Sequence, residues 1–254
     1  MVQSLPMTVL RQGAGAPLLL LHGFCGAAAG WQAMMQTLAG RFDVIAPDWP
    51  GFGASLDRHF CTSIDAMAGR VIALADALGL ARFSVLGHSM SGFVVQHLLL
   101  QHGARIDKAV LYGAGLSARR SGRFETLRAT IERLRAEGSR ATASRVCATW
   151  FVAQQHATAY ASCVEHGAMM DVDAGAAALQ ACETIDFSGR LSSVDHEALV
   201  MLGDRDRTFS VGDAQQLAAA LPNARLCVLP GCAHGAHWES PELFAQVLMD
   251  FLSR

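Results

Sequence analysis

Lysine is almost missing from this 254-residue chain: Lys108 is the only one among 20 basic side chains, and the rest are arginine. Acidic residues number 22, so the formal net charge is −2, which excludes a broad polyanion-binding surface. No pair among the seven cysteines has the Cys-x-x-Cys spacing of a metal or redox motif. An odd, scattered set reads as reduced thiols, and the expected location is the cytoplasm. No apolar run approaches the length that spans a bilayer, and no basic region precedes an apolar one at the N-terminus. Linkers, repeats and low-complexity tracts are absent as well. The one glycine cluster near the start, Gly13-Ala14-Gly15, precedes a strand pattern instead of following one, the wrong order for a dinucleotide loop. Neither a metal nor an organic cofactor is implied.

What is present is apolar residue: 52% of the chain, ample for one sizeable α/β core. Leu18 to Leu21, Phe42 to Ala46, Phe83 to Leu86, Lys108 to Tyr112, Glu197 to Leu202 and Arg225 to Leu229 read as strands, with a short one at Met7 to Leu10. Helical patterns fall between them: Trp31 to Leu38, Ile64 to Leu78, Val211 to Leu221 and Pro241 to Leu252. Strands alternating with helices predict a mostly parallel, doubly wound sheet. Ser117 to Arg190 loses the strand signals and reads as helix throughout.

Chemistry concentrates in the turns that follow strands. Val85-Leu86-Gly87-His88-Ser89-Met90-Ser91-Gly92 is a strand, a sharp turn and a helix start, with Ser89 at the tip. Such a bend lifts the hydroxyl clear of the sheet and aims the Met90 N–H at whatever the serine attacks. His22-Gly23-Phe24-Cys25-Gly26 follows the Leu18 to Leu21 strand, and Asp48-Trp49-Pro50-Gly51-Phe52-Gly53-Ala54-Ser55 follows the next. Gly203-Asp204-Arg205-Asp206-Arg207 and Pro230-Gly231-Cys232-Ala233-His234 close the last two strands. In a parallel sheet all these loops meet at the carboxyl edge.

Together these segments resemble the α/β-hydrolase superfamily over nearly the whole chain. The Ser89 turn resembles its nucleophile elbow, with Ser91 where the Gly-x-Ser-x-Gly pattern has its second glycine. The Asp48 loop is similar to its Asp-x-Pro-Gly-x-Gly-x-Ser loop. His234 to Phe244 is similar to its closing His-x4-Glu-x-Pro-Glu-x-Phe pattern. The resemblance implies a Ser89, Asp206, His234 triad, with Asp204 and His237 as the rival acid and base. It implies oxyanion donors at the N–H groups of Phe24 and Met90. It implies an all-helical cap inserted after the sixth strand, giving a core of residues 1–116 and 191–254 and a cap of 117–190. Cys25, Trp150, Phe151 and His237 are the expected substrate contacts. Arg119, Arg120, Arg123 and Arg128 open the cap as a carboxylate site or as a solvated helix face.

The expected activity is hydrolysis of an ester, thioester or lactone of a small carboxylic acid. Carbon–carbon bond hydrolysis of ring-cleavage products is the alternative within enzymes. A sensory hydrolase that turns over slowly and binds a protein partner is the alternative outside that class. The partner is a small-molecule substrate, with no nucleic acid or membrane.

Overall fold

The computed structural model describes residues 5–56, 59–119 and 124–254. Among them the strands are β1 (Val9–Gln12), β2 (Ala16–Leu21), β3 (Phe42–Pro47), β4 (Phe83–His88), β5 (Ile106–Tyr112), β6 (Ala198–Gly203) and β7 (Ala224–Leu229). They form one sheet in the order β1-β3-β2-β4-β5-β6-β7. Only β1 runs antiparallel, against β3. Every other neighbouring pair is parallel. The first strand therefore begins two residues later than the Met7 to Leu10 pattern predicts, and Met7 is instead a core side chain.

Helices cover both faces: α1 (Gln32–Leu38), α2 (Ile64–Ala77), α3 (Met90–Gln101), then α4 (Leu127–Ala148), α5 (Tyr160–Ala168) and α6 (Val172–Glu183), then α7 (Val211–Ala220), α8 (Ala236–Glu239) and α9 (Pro241–Leu252). This is why the strand sequences are continuously apolar. Along β2, Leu19 and Leu21 join the core under α2 and α3, while Leu18 and Leu20 join the one under α1 and α9. Local chemistry sets the helix starts. Ser63 Oγ accepts the Ala66 N–H at the head of α2, and Ser210 with Asp213 forms a capping box on α7. Pro241 opens α9, whose buried face is Phe244, Ala245, Leu248 and Phe251.

The helical insertion, α4 to α6, follows β5. Ser117 bridges Asp186 and the Phe187 N–H donates to the Leu116 carbonyl at 2.9 Å, so both ends of the insertion leave the core side by side. Ile131 and Val146 lie on one element, α4, broken at Gly138 where φ is 82°. Glycine reaches that conformation at little steric cost. No helix of the described residues is long and apolar enough to cross a membrane.

Between β4 and α3 the chain has no room to spare. A Cβ on Gly87 would lie 2.4 Å from the Ser91 carbonyl oxygen and 2.6 Å from a Val95 methyl. Gly87→Ala is expected to lower stability by about 2–3 kcal/mol, because the elbow must open to admit it. Urea unfolding measures this.

Candidate active site

Ser89 stands between β4 and α3 with φ 55° and ψ −115°. A non-glycine residue held there is strained, and such strain persists only where the surroundings enforce it. Its N–H donates to the Tyr112 carbonyl at 2.8 Å, tying the turn to the end of β5. Met90 is the first residue of α3, so its N–H has no partner within the helix.

Asp206 and His234 arrive from loops after β6 and β7. One Asp206 oxygen accepts the His234 Nδ1–H at 2.7 Å. The other accepts the Thr208 and Phe209 N–H groups at 2.6 and 3.0 Å. Both side chains are 1% exposed. With Nδ1 donating, Nε2 carries the lone pair. That Nε2 is buried and has no hydrogen-bond partner, and its ring lines the same cavity as Ser89. A free imidazole nitrogen in a cavity that also holds a serine hydroxyl is available to take a proton from it. Asp204 faces elsewhere: it accepts the Gly231 N–H at 2.8 Å and holds the turn.

Residues 16–241 match the alpha/beta hydrolase fold family. The chain belongs to that family. Among hydrolase relatives, a 2-hydroxy-6-oxo-6-phenylhexa-2,4-dienoate hydrolase of Burkholderia cepacia is 28% identical over 270 residues, covering 95% of this chain and 89% of the relative. A pimeloyl-[acyl-carrier protein] methyl ester esterase of Nitrosomonas europaea is 27% identical, covering 91% and 94%. The enol-lactonase structure from Burkholderia xenovorans LB400 superposes with a TM-score of 0.89 at 24% identity, covering 98% and 96%, and so shares the fold.

In this α/β-hydrolase the cavity is roofed by the helical insertion. Phe24, Ser89, Met90, Phe93, Thr208, Phe209 and His234 come from the sheet side; Ala118, Phe124, Leu127, Thr130, Val146, Trp150, Leu179 and Cys182 come from the insertion. Its volume is about 40 Å³, well below the clefts that hold drug-sized ligands. No lining residue among those described carries a formal charge.

Of the expected substrate contacts only Trp150 reaches the cavity. Cys25 does not. It is fully buried at the foot of the insertion, where Gly167 packs on its Cβ and Cys147 and Cys163 are its neighbours. Burial raises its thiol pKa well above the ordinary value, so it stays protonated and makes a poor nucleophile. Phe151 turns away to pack on Trp238. His237 lies outside the cavity lining, with its ring 4.5 Å from that of Trp31. Its Nδ1–H donates to the Tyr112 hydroxyl at 3.1 Å. Arg119 donates to the Glu183 carbonyl and does not reach the cavity. Arg128 pairs with Glu132 on the surface. Arg120 and Arg123 lie outside the described residues.

Two supports of His234 escaped sequence reasoning. Its backbone carbonyl accepts both the Tyr112 hydroxyl at 2.7 Å and His88 Nε2–H at 3.1 Å. Glu239 accepts the Ala233 N–H and the Val152 N–H, each at 2.6 Å, and so binds the histidine loop to the insertion. The His-x4-Glu spacing was the one available signal.

Three histidines here are buried neutral. Burial lowers His22 and His88, and burial followed by the charge of His234 lowers His237 to about 3. In the unfolded chain each titrates near ~6.5. Below that pH the unfolded state binds protons that the native state refuses, so stability falls as pH falls toward the native values. For His237, whose native value is about 3, the expected loss from pH 7 to 5.5 is roughly 1 kcal/mol, and His22 and His88 add to it in the same direction. Urea midpoints across that range measure it, and His237→Gln should flatten the slope.

Proposed function

We propose that this chain is a serine hydrolase that cleaves an ester, thioester or lactone of a small, uncharged carboxylic acid. Ser89 Oγ attacks the carbonyl carbon while its proton passes to His234 Nε2. The N–H groups of Phe24 and Met90 face the developing oxyanion. His234 returns the proton to the leaving oxygen or sulfur, which leaves an acyl group on Ser89. Water then attacks that carbonyl, with His234 again as base, and the acid departs. Asp206 holds the imidazole in the required tautomer and offsets its charge. The insertion acts as the cap that excludes water and shapes the acyl site.

The observation that carries this reading is the free Nε2 of an Asp-anchored histidine, in a cavity shared with a serine at a strained elbow. The uncharged lining favours an apolar acyl group, because a buried carboxylate with no cation opposite it would cost several kcal/mol.

A second reading, carbon–carbon bond hydrolysis, is favoured by the dienoate-hydrolase relative, whose substrate name carries both a phenyl group and a carboxylate. Phe24, Phe124, Trp150 and Phe209 would suit the ring. Against it, no described cation faces the cavity.

p-Nitrophenyl esters of rising acyl length separate the two. Turnover that peaks at a short acyl chain supports the ester reading. A folded protein that is inert on every ester but cleaves a phenyl-bearing β-diketone overturns it.

A further inference from the structure

The second glycine of the elbow pattern is Ser91 in this chain, and its side chain does something a glycine cannot. Ser91 Oγ–H donates to the His22 carbonyl at 2.5 Å. Trp49 Nε1–H is shared between that carbonyl, at 3.0 Å, and Ser91 Oγ, at 3.1 Å. The Trp49 backbone N–H donates to His22 Nε2 at 3.1 Å, and His22 Nδ1–H turns back to the Gly23 carbonyl at 2.9 Å. Ser91, Trp49 and His22 are 0%, 1% and 2% exposed, so these bonds form away from water and hold their geometry firmly.

The knot joins the two segments that carry the proposed oxyanion donors. Ser91 follows Met90 directly in α3, and His22 precedes Phe24 by two residues. An oxyanion is stabilised only when both N–H groups converge on one point at about 2.7–3.1 Å, and a small drift between their segments weakens both bonds. The β2 and β4 ladders hold the two strands in register, but they end at Leu21 and Gly87, before either donor. Beyond them, the Ser91 hydroxyl is a direct side-chain link from the elbow helix to the His22 loop. A glycine suffices to make the turn, so the hydroxyl is not needed for the bend itself.

We infer that Ser91 is a positioning residue: its hydroxyl sets the separation of the Phe24 and Met90 N–H groups and so tunes the oxyanion hole. This rests on the serine-hydrolase reading. Without the hydroxyl, the His22 carbonyl still has the Trp49 indole N–H, so no buried acceptor is orphaned and the fold should survive.

The test compares wild type, Ser91→Ala, Ser91→Gly and Trp49→Phe on p-nitrophenyl butyrate. It also measures inhibition by phenylboronic acid, whose tetrahedral serine adduct places an oxygen in the oxyanion hole, and by butyrate, which reads ground-state binding. Both Ser91 variants are expected to lose ~10–100-fold in kcat, less than the ~10²–10³ of a deleted donor. KM and butyrate binding should stay within about twofold, and boronate affinity should fall in step with kcat. Trp49→Phe should lose less, because the Ser91–His22 bond remains. If Ser91→Ala does not fold, Ser91→Gly carries the test, since glycine is the residue the elbow pattern has there. Folded Ser91 variants with wild-type kcat and boronate affinity overturn the inference while leaving the mechanism intact. A wild type inert on esters, or an active Ser89→Ala, overturns the mechanism itself.

Discussion

Ser89→Ala is expected to cut kcat on a p-nitrophenyl ester by ~10⁵–10⁶-fold and to leave stability within about 0.5 kcal/mol of wild type. The two halves of this prediction have separate causes. In the proposed mechanism the hydroxyl forms the acyl bond, and Cys25 is buried outside the cavity with a raised pKa. The Ser89 side chain does not cap α3, so its removal strands no backbone group. Ser89→Gly sharpens the contrast. The site has φ 55°, where a Cβ costs energy, so glycine should be as inactive as alanine yet more stable by about 1 kcal/mol. Ester turnover and urea unfolding of the three proteins provide the test. A stable, active alanine variant would remove Ser89 from the chemistry.

Asp206→Asn is expected to lower kcat by ~10⁴-fold with little change in KM. In the native arrangement one carboxylate oxygen is committed to the N–H groups of Thr208 and Phe209, and the other takes the His234 Nδ1–H. An asparagine keeps its oxygen on the two N–H groups and presents its NH₂ to the histidine. His234 Nδ1 must then accept, which moves the proton to Nε2 and leaves no base facing Ser89. The volume of the side chain hardly changes, so the loss reports proton placement and not packing. Asp204→Asn is the control. Asp204 accepts from Gly231 on the surface of the same loop, and its variant should keep activity within about threefold. Equal effects from both variants would show that neither carboxylate acts through His234.

The parts of the molecule legible in the sequence are those set over short range. Leu18 to Leu21 reads as a two-sided strand because its alternate residues enter different cores. The amphipathic run after Pro241 reads as a helix for the same kind of reason. Ser89, Asp206 and His234 could each be marked from their neighbours, because each lies in a turn directly after a strand pattern. Their meeting follows from a parallel sheet, whose carboxyl ends lie along one edge.

The rest was not legible because it depends on how packed elements rotate against one another. Asp204 and Asp206 are two residues apart in one turn, and only the path of that turn brings Asp206 to His234. The cavity wall required knowing which sides of α4 and α6 face the sheet. Helical periodicity marks a side as buried without saying what buries it, so Phe151 and His237 pack outside the cavity while Thr130, Leu179 and Cys182 line it. The Ser91–His22 bond spans 69 residues, and no local pattern carries it. Sequence by itself determined the alternation of strand and helix along the chain and the loops that carry the candidate residues, because backbone sterics and hydrophobic period act over a few residues. Tertiary structure alone decided which side chains meet at the candidate site and which residues wall its cavity, because those are distances between groups the chain keeps far apart.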